Sequence, residues 1–168
     1  MCLTAVQKKV IADMKDFLNL SGSQILKHIY NGNEIQYRSD LRYLLDKDII
    51  KKDRRHDIYV FTAHGKKLAS ELTGDHNIFD SKISTRREEL RHDVMIYSAF
   101  KDLEKDLLKE GKVIVYYMTD RQLRSEDMKK NNTLAGEYPD VHVVYRDEKT
   151  GGQGFINLEV DVGYSSKE

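Results

Sequence analysis

The chain has 168 residues, with 28 Lys and Arg against 28 Asp and Glu, a length that fits one domain or two small ones. Zero formal charge argues against bulk electrostatic attraction as the main way to find nucleic acid, so any such contact must come from local patches. One cysteine, Cys2, excludes an internal disulfide; no apolar run approaches the roughly 18 residues of a membrane span, and the N-terminus lacks a signal-peptide core, so the expected location is cytoplasmic with no membrane contact.

Residues 4–19 read as a first helix, with Val6, Val10, Met14, Phe17 and Leu18 on one stripe. Ser21-Gly22-Ser23 breaks it, and Ser23 is expected to cap a short second helix to Tyr30, with Ile25, Leu26 and Ile29 as its apolar side. Asn31-Gly32-Asn33 signals a tight turn. A third helix is expected from Glu34 to Asp46, with Leu41, Leu44 and Leu45 inward. Two short β-type runs follow, Ile49–Asp53 and Ile58–Thr62, around a basic tip at Arg54-Arg55-His56, and Thr62 caps a helix from Ala63 to Leu72. Three helices, a two-stranded ribbon and a helix outline a winged helix-turn-helix over residues 1–75.

Residues 76–84 form a polar connector. Beyond it a long helix is expected from Thr85 to Lys109, with Ile96, Phe100, Leu103 and Leu107 on its inward stripe and Gly111 as its stop. Lys112–Met118 reads as a buried strand, and Arg121–Lys130 as a short helical or irregular stretch. Two further β-type runs flank the turn sequence Asp147-Glu148-Lys149-Thr150-Gly151-Gly152 and read as a hairpin.

Two constellations carry chemistry. In a helix-turn-helix the second helix of the motif enters the major groove, which here would present Gln36, Tyr37, Arg38, Ser39 and Arg42. Arginine suits guanine edges and glutamine suits adenine, while Tyr37 and Ser39 can hold phosphates. Lys51, Lys52, Arg54 and Arg55 would lie on the adjacent backbone or in the minor groove, making double-stranded DNA the expected partner. The competing reading is a solvated helix, with Arg38 and Arg42 beside Asp40 and Asp46, or a protein-binding winged helix.

The second constellation is acidic. Matching the apolar alternation of the hairpin runs puts Asp140, His142, Glu159 and Asp161 on one face. Carboxylates so placed repel unless a proton or a divalent cation sits between them, and Mg²⁺ or Mn²⁺ held by Asp140, Glu159 and Asp161 is one reading. A solvated acidic face is the other. His92 sits on the inward stripe of the long helix, where a structural role is the simpler account.

Leu90-Arg91-His92-Asp93-Val94, Thr119-Asp120-Arg121-Gln122-Leu123, Pro139-Asp140 and Leu158-Glu159-Val160-Asp161-Val162-Gly163, in that order behind a winged-helix half, resemble the replication-relaxation family of plasmids and other mobile elements. That family looks related to plasmid mobilisation relaxases that join a winged helix to a restriction-endonuclease-like domain. The resemblance implies an α+β chain: a winged helix over 1–75, then a partial nuclease-like α/β domain over 85–168 that lacks a C-terminal helix and strand. It implies catalytic roles for His92, Asp140, Glu159 and Asp161 in metal-dependent DNA nicking during replication or mobilisation. Asp161 stands where the broader nuclease superfamily places a lysine, which leaves a non-catalytic regulator with a degenerate nuclease-like dimerisation domain as the alternative. An exposed sheet edge would then favour a homodimer.

Overall fold

A computed structural model describes residues 2–53, 57–74, 87–129 and 138–161. The fold is mixed α+β, with two separate three-stranded antiparallel sheets. The chain divides into two compact units, Met1–Val94 and Met95–Glu168. The division falls within a helix, and the expected 76–84 connector lies outside the described residues.

The first unit opens with α1 (Ala5–Phe17). Thr4 and Gln7 form a capping box: the Gln7 amide donates to Thr4 Oγ1 at 3.1 Å, and the Thr4 amide donates to Gln7 Oε1 at 3.0 Å. After a left-handed Leu18 (φ 58°) come β1 (Leu20–Ser21) and α2 (Gly22–Gln24), which runs into a π-helical turn over Ile25–Ile29. Ser21, and not Ser23, is the cap, because Ser21 forms the same reciprocal box with Gln24. Asn31 (φ 50°) and Gly32 (φ 81°) make the expected turn, and Asn33 caps α3 (Glu34–Asp46) by accepting from the Gln36 amide at 3.2 Å.

A ribbon of β2 (Ile50–Asp53) and β3 (Ile58–Phe61) follows, then α4 (Ala63–Thr73), capped by Thr62 and closed by left-handed Gly74. The sheet order is β1-β3-β2. β1 pairs Leu20 with Tyr59, so the ribbon gains a third strand from a two-residue segment too short to show a period of its own. All four residues of β3 are buried, as the centre of the sheet requires. Val10, Ile11, Met14, Leu20, Ile25, Leu44, Ile49 and Ile50 form its fully buried core. Leu45, expected inward, is 37% exposed, because the buried stripe of α3 runs through Asp40, Leu41 and Leu44.

A long helix, α5 (Arg87–Lys109), begins in this unit. Asp93 Oδ2 accepts from Asn19 Nδ2 at 3.0 Å, the Val94 carbonyl accepts from Gln24 Nε2 at 2.5 Å, and the Val94 side chain packs on Ile58 and Val60. Those contacts explain why the unit extends to Val94.

The second unit contains the remainder of α5, then β4 (Lys112–Thr119), α6 (Asp120–Lys129), β5 (Val141–Asp147) and β6 (Gln153–Leu158), with sheet order β4-β5-β6. Central β5 buries Val141 and Val143 completely. Phe100 of α5 packs on Tyr117 of β4 with ring centroids 4.7 Å apart. β4, expected to be buried, is an edge strand with a bulge between Ile114 and Tyr116, and it leaves Val115 and Tyr116 exposed. The β5–β6 turn is set by Asp147: its Oδ1 accepts from the amides of Lys149 at 2.8 Å and Thr150 at 3.0 Å, while Gly151 takes a positive φ of 72°.

Candidate functional site

The exposed face of α3 is the first candidate. The helix buries Asp40, Leu41 and Leu44 and half-buries Tyr37, a stripe at i, i+3, i+4, i+7. The opposite stripe carries Ile35, Arg38, Ser39 and Arg42, all exposed, with exposed Gln36 beside it. Lys51 and Lys52 are exposed on β2. Arg54 and Arg55 lie outside the described residues.

Existing partners hold these cations loosely. Arg38 pairs with Glu34 at 2.8 Å, and Lys52 pairs with Asp57 at 2.6 Å, all on exposed side chains. Exposed ion pairs of this kind contribute under about 1 kcal/mol, so an incoming phosphate or base edge can replace either acid. Tyr37 is placed differently from the others. Its hydroxyl bonds to Tyr59 and lies 2.6 Å from where a Gly22 side chain would begin, so the half-buried Tyr37 also braces α3 against the body of the unit. Burial, then Tyr59, raises its pKa above the ordinary phenol value.

Sequence reasoning missed the device that fixes the pitch of α3. Asp40, nearly buried, accepts from Gln7 Nε2 at 2.8 Å through Oδ1 and from the Tyr30 hydroxyl at 3.1 Å through Oδ2. Gln7 therefore has two jobs, closing the cap of α1 and anchoring α3. Burial first, and the Asp40 charge second, raise the Tyr30 pKa. An acid one turn from Gln36 reads in sequence as another charge on a polar helix; only its place on the apolar stripe with Leu41 and Leu44 marks it as interior.

The acidic run is the second candidate. The β5–β6 register sets Val141 against Leu158, His142 against Asn157 and Val143 against Ile156, so the apolar faces match as the alternation implies. β6 ends at Leu158, however, and Glu159 and Asp161 lie beyond it, both exposed. His142 Nδ1 meets Asn157 Oδ1 at 2.7 Å. Asp140 does lie against the Glu159–Asp161 run, but through the backbone: its Oδ2 accepts from the Val160 amide at 2.7 Å. Its carbonyl accepts from the Asp120 amide at 3.0 Å, which ties the start of α6 to the same point. The neighbouring Thr119-Asp120-Arg121-Gln122 stretch serves that junction, with Gln122 Oε1 accepting from the Thr119 amide at 2.8 Å.

Three carboxylates have the hard-oxygen chemistry of a Mg²⁺ or Mn²⁺ site. Among the described residues, though, no group of three or more His, Cys, Asp and Glu side chains is gathered to hold an ion. One Asp140 oxygen accepts from the Val160 amide, and the Glu159 and Asp161 side chains on the facing run are exposed. His92, half-buried beside Asp93, belongs to the first unit, whereas the three acids belong to the second.

No helix among the described residues is long and apolar enough to cross a membrane. No protein-family model matches the chain, and neither a curated protein nor a solved structure is significantly similar to it.

Proposed function

We propose that the first unit is a winged helix-turn-helix that binds double-stranded DNA, with α3 in the major groove and the β2–β3 ribbon on the flanking backbone. The observation that carries this reading is the polar stripe of α3. Arg38, Ser39 and Arg42 project from the side opposite the buried one, while a capped tight turn and the Asp40 anchor hold the helix to the body behind it. A helix held by its back, with base-reading side chain types in front, suits direct readout. The order of sequence motifs supports a place for the chain among the replication-relaxation proteins of plasmids or other mobile elements, acting in replication or mobilisation. For the second unit, the bond from the Val160 amide to the Asp140 carboxylate supports a structural part for that acid, and so a non-catalytic, nuclease-like module acting as a regulator or replication accessory.

Metal-dependent nicking is the second reading. It rests on the placement of Asp140 against the Glu159–Asp161 run at 2.7 Å from the Val160 amide. Incubation with supercoiled plasmid in chelator, Mg²⁺ or Mn²⁺ separates the readings. Under the first, the plasmid is retarded on a gel in every buffer and stays supercoiled. Nicking that needs the metal and is abolished by Asp140→Asn and Glu159→Gln, in variants that still bind, would establish the second. Neither retardation nor nicking would refute both.

A further inference from the structure

Ile35 is 85% exposed, the most exposed of the large apolar side chains among the described residues. A lone exposed isoleucine requires no account by itself, since apolar atoms make up over half of any protein surface. Its setting is what makes this one informative. It lies in the first turn of α3, directly after Glu34, on the stripe that continues through Arg38, Ser39 and Arg42 at i+3, i+4 and i+7. It contributes little to the fold, being almost fully solvated, and a β-branched residue is a weaker helix former than the Leu, Glu or Lys that an idle surface position would favour. The same branching helps at an interface, because its χ1 is already restricted in a helix and little rotamer freedom is lost on contact.

In the major groove only thymine offers an apolar group, its C5 methyl, and an aliphatic side chain is the natural complement. We propose that Ile35 packs on a thymine methyl and so sets a thymine preference beside the base pair that Arg38 reads. This rests on the DNA-binding reading above. Side chains three or four positions apart on a helix are about 5–6 Å apart, and successive bases rise about 3.4 Å, so the preferred thymine lies within about two base pairs of the Arg38 contact.

The test uses duplexes enriched by the full chain from a random-sequence DNA pool. Each thymine of the enriched sequence is replaced in turn by deoxyuridine, which removes the methyl and leaves the hydrogen-bonding edge intact. Burying one methyl-sized group corresponds to roughly fourfold in affinity. The wild type should therefore lose about that factor at one position, Ile35→Ala should bind thymine and uracil there equally, and Ile35→Val should keep part of the difference. Thermal melting of Ile35→Ala at the wild-type temperature shows that the fold is unchanged. Uracil tolerated at every position by the wild type, or an undiminished methyl effect in Ile35→Ala, would overturn the proposal while leaving DNA binding in place. A chain that enriches no DNA and binds none would overturn both.

Discussion

Removing the Asp40 carboxylate should cost far more than removing any other acid on α3. Asp40→Ala deletes two hydrogen bonds to one charged acceptor, from Gln7 Nε2 at 2.8 Å and the Tyr30 hydroxyl at 3.1 Å, and leaves both donors without that partner next to a nearly buried site. Hydrogen bonds to charged groups contribute about 1.5–3 kcal/mol each, and part of that is offset because an ionised carboxylate no longer has to be desolvated; the net loss should be about 3 kcal/mol. Asp40→Asn keeps the shape, an oxygen for Gln7 and an amide that Tyr30 can accept from, and should cost about 1 kcal/mol. Tyr30→Phe should destabilise the wild type by about 1 kcal/mol and the Asp40→Ala background by almost nothing, since the partner is already gone. Urea unfolding followed by far-UV circular dichroism reads all four variants through their midpoints at constant m. Equal stability of Asp40→Ala and Asp40→Asn, or additive losses in the double variant, would refute the account of Asp40 as the anchor of α3.

Other expectations follow from single observations. A Cβ on Gly65 would sit 1.8 Å from the Ile49 carbonyl oxygen, which already accepts from the Thr62 amide, so Gly65→Ala should destabilise by about 3 kcal/mol or more in the same unfolding assay. Gly74→Ala meets open space and suffers only from its positive φ, so it should cost about 1 kcal/mol. Tyr30 and Tyr37 both have pKa values raised above the ordinary 10.0. Their contribution is complete below the unfolded value and is lost as pH rises past it, so thermal stability of the first unit should fall above about pH 10 and fall less in Tyr37→Phe. Asp147 shifts the other way: the Thr150 and Lys149 amides hold its pKa below the usual 3.8. The hairpin turn should stay ordered through mild acid and loosen as pH falls below that value, seen as faster exchange of the Gly151 amide.

Local chemistry made most of the first unit readable. Asn33 as a cap, Asn31-Gly32 as a left-handed turn and Thr62 before Ala63 each leave one conformation much preferred, and α3 begins and ends where those signals place it. The cap at Ser21 is equally legible, because Ser21 and Gln24 repeat the Thr4 and Gln7 spacing, although Ser23 is the same residue type and stands nearer the apolar run. β1 was not legible: two residues carry no alternation, and its pairing with Tyr59 and Ile58 depends on the tertiary fold. Alternation also fixed the β5–β6 register yet could not say where β6 stops, which decides whether Glu159 and Asp161 face His142. Nor could it show that the Asp140 carboxylate would be drawn to a backbone amide. The identity of a surface residue is visible in sequence, whereas the partner that holds it is set by distant segments.

The central claim is that the α3 stripe and the ribbon hold duplex DNA, and the most direct measurement is affinity against salt. Fluorescence anisotropy with a labelled duplex, over a range of NaCl, should give a Kd that weakens steeply as salt rises. Lys51→Ala and Lys52→Ala should each lower the slope of log K against log salt by about one, and Arg38→Ala should cost about 1–3 kcal/mol. Binding that ignores salt, or that survives Arg38→Ala with Arg42→Ala and both lysine substitutions unchanged, would contradict the account and leave α3 as a solvated helix.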